Sequence, residues 1–273
     1  MVIGESPAPD EQALIERFSR RYRLGQSGIM LQIERRVCGC DYGGTSWTTR
    51  HEALEAGKEL ELRPGKRLLE VGAGSGWPGL YLAGKTGCDV ALIDLPFEGL
   101  KIAAQRAAAD GLAGACWAAV ADGAALPLEG GCFDAVLHSD VLCCLEEKLS
   151  VLRECRRVLR AGGKMVFTVI SICPNLSPAD YARAAACGPP FIETAVEYPE
   201  MLRQAGWKIT NHVDLTPDYG GSVGQFLREE ETHAEELRDL FGDADYLETL
   251  ARRRRTHSAI QEGLIRREMF GAI

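Results

Sequence analysis

Leu68-Leu69-Glu70-Val71-Gly72-Ala73-Gly74-Ser75-Gly76 decides the fold of this chain. An apolar run ends in an acid and passes directly into three glycines spaced two apart. Glycine accepts positive φ and, lacking a Cβ, lets a ligand come close to the main chain. The stretch therefore reads as a buried strand that opens onto a ligand-facing turn. A dinucleotide fingerprint, Gly-x-Gly-x-x-Gly, would need its third glycine where this chain has Trp77. The spacing here is Glu-x-Gly-x-Gly-x-Gly.

Downstream segments repeat the strand-then-turn logic. Val90-Ala91-Leu92-Ile93 ends at Asp94, followed by Leu95. An acid at the tip of a second strand is the usual partner of ribose hydroxyls in nucleotide-binding α/β folds. Ala121-Asp122-Gly123-Ala124 forms a turn after a third strand, and Phe133 to Leu142 reads as a fourth strand and its turn. Leu152 to Lys164 contains Arg157-Val158-Leu159-Arg160-Ala161-Gly162-Gly163. In this order the five segments resemble the motifs of class I S-adenosylmethionine-dependent methyltransferases, the last being similar to that family's RVLRPGG turn. The resemblance covers residues 60–215 well and the ends less securely.

The resemblance implies an α/β fold: a Rossmann-like, seven-stranded, mostly parallel sheet in the order 3-2-1-4-5-7-6, last strand antiparallel, with a helical lid. Residues 1–60 would form an N-terminal helical lid and loop. Residues 61–273 would form the methyltransferase core, with helical insertions around 173–205 and 217–262. The cofactor implied is S-adenosylmethionine, leaving S-adenosylhomocysteine as product. Gly72, Ala73 and Gly74 would approach its methionyl part. Glu70 would order that loop and face the amino group directly or through water, or else brace a helix N-terminus. Asp94, with Leu95 beside it, would hold the ribose diol. Asp122 would face the adenine amino group while the Gly123 and Ala124 amides approach the ring.

The activity implied is in-line transfer of a methyl group to an oxygen or nitrogen of a small-molecule acceptor. Such a protein supplies orientation, desolvation and sometimes a base. His138 lies at the carboxyl end of strand four, where open α/β sheets place ligands. A histidine there can serve as a general base; alternatively its carbonyl meets the cofactor and the ring only packs. Asp140, two residues on, would contact substrate or cap the next helix. Tyr42 and Trp47 lie in the glycine-rich loop 39–49. Their rings could close over the cationic sulfonium or simply anchor the loop. Tyr22, Trp47, His212 and Tyr219 are candidates for the acceptor pocket.

Two alternatives stand beside this reading. A protein or RNA methyltransferase is disfavoured by the net charge of 31 − 39 = −8, since nucleic-acid binders usually carry a basic footprint. The turn His138-Ser139-Asp140-Val141 also lacks the Asn/Asp-Pro-Pro-aromatic motif of amino-methylases. A non-catalytic relative that only binds the cofactor would show the same glycine and acid motifs.

Composition sets the remaining bounds. Hydrophobic residues make up 46% and charged residues 26%, ordinary for a soluble globule. No run is apolar enough to span a bilayer, and Met1 to Asp10 lacks a basic-then-apolar leader. Ten cysteines without a leader read as reduced thiols of a cytoplasmic protein. Cys38-Gly39-Cys40 and Cys143-Cys144 have no second pair at zinc spacing, so no metal is expected. A small-molecule acceptor is the expected partner, and a homodimer is open. Helical spacing marks residues 11–37, Thr49 and Glu52 form a capping box, and residues 217–255 are charged and helical. The arginines at 17, 20, 21, 23 and 252–255 are either solvated helix faces or an anion-contacting surface.

Overall fold

Alternation within each strand divides the core in two. The structure, a computed structural model, describes residues 9–273, so the reading of the first eight residues as leaderless lies outside it. Strands β1 (Arg67–Val71), β2 (Asp89–Asp94), β3 (Cys116–Val120), β4 (Phe133–Ser139) and β5 (Leu159–Ile172) run parallel. β6 (Ile209–Asp214) and β7 (Ile265–Ala272) complete a seven-stranded sheet in the order β3-β2-β1-β4-β5-β7-β6. β7 is antiparallel to both its neighbours. Leu69, Val136 and Phe167 point to one face, where α6 (Lys148–Val158) and α8 (Tyr198–Gln204) pack. Leu68, Ala135, Leu137 and Val166 point to the other, under α3 (Arg50–Glu59), α4 (Gly79–Thr86) and α5 (Phe97–Asp110). Successive side chains on a strand face opposite ways, so nearly continuous apolar runs were needed to fill both layers.

The remaining helices before β1 and after β5 pack largely on one another. Residues 11–37 split into α1 (Pro9–Gly25) and α2 (Gly28–Val37). Ser27 accepts from Met30 N and starts the second helix. The Thr49–Glu52 capping box is present: Thr49 Oγ1 accepts from Glu52 N at 3.2 Å and Glu52 Oε2 from Thr49 N at 2.8 Å. α7 (Pro178–Cys187) fills the segment after β5. The charged stretch forms α9 (Thr216–Thr232), α10 (Ala234–Phe241) and α11 (Asp243–Gln261). β5 starts earlier than Lys164 because Leu159 pairs with Phe133 ahead of an irregularity in the register.

Candidate active site

The glycine turn forms because β1 stops where β2 continues. Gly72 N and Ala73 N both donate to Ile93 O, at 2.7 and 3.0 Å, folding the turn back over the end of β2. Gly72 and Gly74 have φ of +70° and +51°. A Cβ at Gly74 would come within 2.7 Å of the Tyr22 hydroxyl, and one at Gly72 within 2.3 Å of Val141. Both positions therefore need glycine for conformation and for space.

Asp94 ties this turn to β2. Its Oδ2 accepts from Gly74 N at 2.7 Å and its Oδ1 from Leu95 N at 2.8 Å. Burial pushes its carboxyl up to about 6 against those hydrogen bonds, leaving it ionised at neutral pH. Each carboxylate oxygen has a second lone pair, so Asp94 keeps acceptor capacity toward a ligand. Asp122 holds its own turn, Oδ1 accepting from Ala124 N at 2.8 Å.

These groups open into one cavity of about 520 Å³. Its floor is the glycine turn, Asp94, Leu95, Asp122, Gly123, Ala124 and Asp140. Its cover comes from α1, with Arg21 and Tyr22; from the loop before α3, with Trp47; and from Tyr219 on α9. Trp47 packs edge-on against Tyr219, ring centroids 5.1 Å apart. The volume lies within the usual range of roughly 300–1,000 Å³ for small-molecule sites. Among the described residues, no group of three or more His, Cys, Asp or Glu is placed to hold a metal ion.

A family model described as a methyltransferase domain matches residues 69–167, from the middle of β1 into β5. Sarcosine/dimethylglycine N-methyltransferase of Halorhodospira halochloris is 30% identical over 199 residues, 70% of this chain and 68% of that protein. The chain belongs to the class I S-adenosylmethionine-dependent methyltransferases. Phosphoethanolamine N-methyltransferase 3 of Arabidopsis thaliana is 27% identical over 248 residues, 89% of this chain and 49% of that protein. The chain thus spans about half the length of such curated relatives. In fold, this chain superposes on phosphoethanolamine N-methyltransferase 2 of Haemonchus contortus, solved with phosphomonomethylethanolamine and S-adenosylhomocysteine. The TM-score is 0.77 at 19% identity, covering 98% of this chain and 61% of that one.

Four expected site residues do not line the cavity. His138 shares the strand parity of Val136 and so points into the layer under α8. It is fully buried, stacked on its cross-strand neighbour Phe167 with centroids 4.6 Å apart, and both ring nitrogens lack hydrogen-bond partners. Burial pushes its pKa down to about 3. The geometry replaces a general base with a packing element. The stack continues across the sheet, Phe167 on Phe270 at 5.2 Å and Phe270 on His212 at 4.3 Å. His212 therefore closes the far end of an aromatic row on β6, bonded to Glu268 at 2.8 Å, and is no pocket residue.

Glu70 is buried behind the turn, and its Oε2 accepts from Gly79 N at 3.1 Å, at the start of α4. Of the two readings offered for it, helix bracing is the one seen. Burial raises its carboxyl to about 8. Tyr42 packs on Trp77 at 5.2 Å with the Arg106 guanidinium 3.9 Å over its ring, so it anchors its loop instead of covering the cavity.

Asp140 does line the cavity, at φ +57°, as the hub of a network that sequence reasoning missed. Fully buried Arg267 of β7 donates from Nε to Asp140 Oδ1 at 2.9 Å and from Nη1 to Glu52 Oε1 at 2.9 Å. Its Nη2 reaches Thr48 Oγ1 at 3.1 Å and Thr168 Oγ1 at 3.2 Å. Asp140 Oδ2 also accepts from Trp47 N at 3.4 Å. The capping-box glutamate thus binds helix α3 and the loop before it to the last strand. An acid at N3 signals the cap, but nothing local signals its second partner.

Proposed function

We propose that this chain transfers the methyl group of S-adenosylmethionine to an oxygen or nitrogen of a small-molecule acceptor. The observation that carries this reading is the single cavity in which the bare glycine turn, Asp94 and Asp122 share walls with α1, Trp47 and Tyr219. When bound, the cofactor supplies an electrophilic methyl on a sulfonium. Gly72, Ala73 and Gly74 offer main chain with no Cβ in the way, Asp94 offers two charged acceptors for a diol, and Asp122 with the Gly123 and Ala124 segment borders the base. Tyr22 and Tyr219 hold the acceptor against this floor, and Trp47 excludes water beside them. α1 and the loop before α3 serve as the cover of the core domain, with the segments around 173–205 and 217–262 as insertions.

No histidine lines the cavity among the described residues, and Asp140 is held by Arg267. The chain's contribution is therefore orientation and desolvation, which can lower a barrier by roughly 7–11 kcal/mol. An acceptor that arrives with a free lone pair, such as a neutral amine, asks least of such a site. All ten cysteines are unpaired in the fold, which supports a reducing, cytoplasmic setting. No described helix is long and apolar enough to cross a membrane. The acidic chain, net −8, supports a metabolite rather than a nucleic acid as partner. A homodimer remains part of the proposal, with the exposed β3 edge and Trp117 as its surface.

The test is release of S-adenosylhomocysteine from S-adenosylmethionine across a panel of amine- and hydroxyl-bearing metabolites, with cofactor binding measured by calorimetry. Cofactor binding with no turnover on any acceptor would favour a binding protein; absence of cofactor binding would overturn the reading altogether.

A further inference from the structure

The arginines of α1 and α11 differ in partner and in place. Arg20 pairs with Asp245, Arg253 with Glu230, Arg254 with Glu231 and Arg255 with Glu248. Arg17, Arg21 and Arg252 line the cavity, and among the described residues none of the three has a carboxylate or any other hydrogen-bond partner. Among the described residues Arg23, exposed on α1, also has no side-chain partner but does not line the cavity; Arg17, Arg21 and Arg252 stand apart because they line it without one.

Helix geometry explains the convergence. Arg17 and Arg21 are four residues apart and share one face of α1. Tyr22, about 100° further round, turns instead to the glycine turn beside Asp94. Arg252 approaches from α11, which meets α1 through the Arg20–Asp245 pair. Like charges at this spacing destabilise a helix, and crowding a third guanidinium into the same partly enclosed space adds to the cost. Burial, then Arg252 and Arg17, push Arg21 down to about 9. Arg252 is lowered by burial, then by Arg17 and Arg253. The neighbouring Cys144 thiol is drawn toward its charged form by Cys143 first and by Arg21 and Arg17 as well. Glu11, Glu146 and Glu147 also border the cavity, yet none pairs with these arginines. Three guanidiniums lining one cavity with no carboxylate bonded to them offer charge-assisted, forked donors to an anionic group.

We propose that Arg17, Arg21 and Arg252 seat an anionic group, a phosphate or a carboxylate, carried by the methyl acceptor, with Arg17 at the mouth and Arg21 inside. This rests on the methyl-transfer reading for the other end of the cavity. It assigns the acceptor a class: a small molecule with an anionic group at one end and the methylated atom at the other. Two charged walls would then fix the distance between them.

Calorimetry on the full chain in low-chloride buffer, with and without S-adenosylhomocysteine, reads the site with two probes, inorganic phosphate and acetate. At least one should bind, and the tighter one tells phosphate from carboxylate. Arg21→Met and Arg252→Met should each weaken that probe tenfold or more, with Arg21→Lys falling between them and the parent. Arg17→Met, at the exposed mouth, gives a third variant should an inner one fail to fold. Arg254→Met, already paired outside with Glu231, should change nothing. Unaltered affinity across the three cavity arginines, or no binding of either probe to the parent, overturns the proposal. S-adenosylhomocysteine affinity, measured on the same samples, should stay within about twofold. If the parent fails to bind it, the methyltransferase reading falls separately from the anion seat.

Discussion

The Arg267 guanidinium and the Asp140 carboxylate meet at 2.9 Å inside the molecule, one from the last strand and one from the turn after β4. Asp140 holds a positive φ there, at +57°. With Glu52 also bonded to Arg267, one cation serves two buried acids that border or brace the cavity.

Removing that cation should be costly. Arg267→Met leaves Asp140 and Glu52 buried without a counter-charge, and breaking a buried pair on one side costs about 3–5 kcal/mol. Urea unfolding should show that loss. A change below about 1 kcal/mol would mean that the network contributes no more than a surface pair.

Asp94→Ala should weaken S-adenosylmethionine binding more than tenfold, as charge-assisted hydrogen bonds contribute roughly 1.5–3 kcal/mol each. The parent's affinity should also fall on acidification through a pKa of about 6, where Asp94 takes up a proton. Calorimetry at pH 5 and pH 8 (about one and two units either side of that midpoint) checks both. A parent whose affinity ignores pH would remove Asp94 from the site.

Gly74→Val should abolish stabilisation by S-adenosylhomocysteine. The residue sits at φ +51° and its Cβ would press on Tyr22, while a β-branched side chain adds bulk toward the ligand. Thermal shift with and without the product is the measurement. A retained shift would place the cofactor elsewhere.

His138→Phe should leave turnover within a few-fold of the parent, since the ring packs on Phe167 outside the cavity. Its folded pKa, about 3, lies below the ordinary 6.5. The stability of neutral, buried His138 is therefore fully present above 6.5 and is lost as pH falls toward 3. The variant should unfold less readily in acid across that window. A large fall in turnover with cofactor affinity intact would restore His138 as a base.

Glu70→Gln should act with the opposite sign. The folded pKa of about 8 exceeds the ordinary value of 4.5, so the parent loses stability as pH rises from 4.5 through 8. Melting temperatures of the variant should be flatter over that range, and an equal slope in both proteins would locate the titration in another group.

The parts of this fold that were legible are those encoded by near neighbours in sequence. Glycine spacing at 72–76 marked the turn, Asp94 followed from the strand that it ends, and Thr49 with Glu52 marked a helix start. For His138 the strand end left a base and a packing ring both open, and strand parity separates them: Val136 and His138 share a side, and that side is core. Tyr42 stayed open because a loop aromatic looks alike in sequence whether it covers a ligand or leans on Trp77. The Arg267 network was invisible because its acids lie 127 and 215 residues away in the chain. The arginines were noticed as a charge pattern, but which of them face inward depends on how α1 and α11 cross above the sheet.

The position of β7 bears on how the molecule comes into being. Synthesis delivers β5 and β6 first, yet these strands are not neighbours; β7 must slide between them. On the ribosome, where folding proceeds from the N-terminus, this order predicts that the sheet stays split, and Glu52 and Asp140 without Arg267, until residues 265–272 emerge. A nascent chain arrested at Gly263 should fail to retain S-adenosylhomocysteine that the released chain holds. The glycine turn, though translated early, would then become a working site only after β7 has been made.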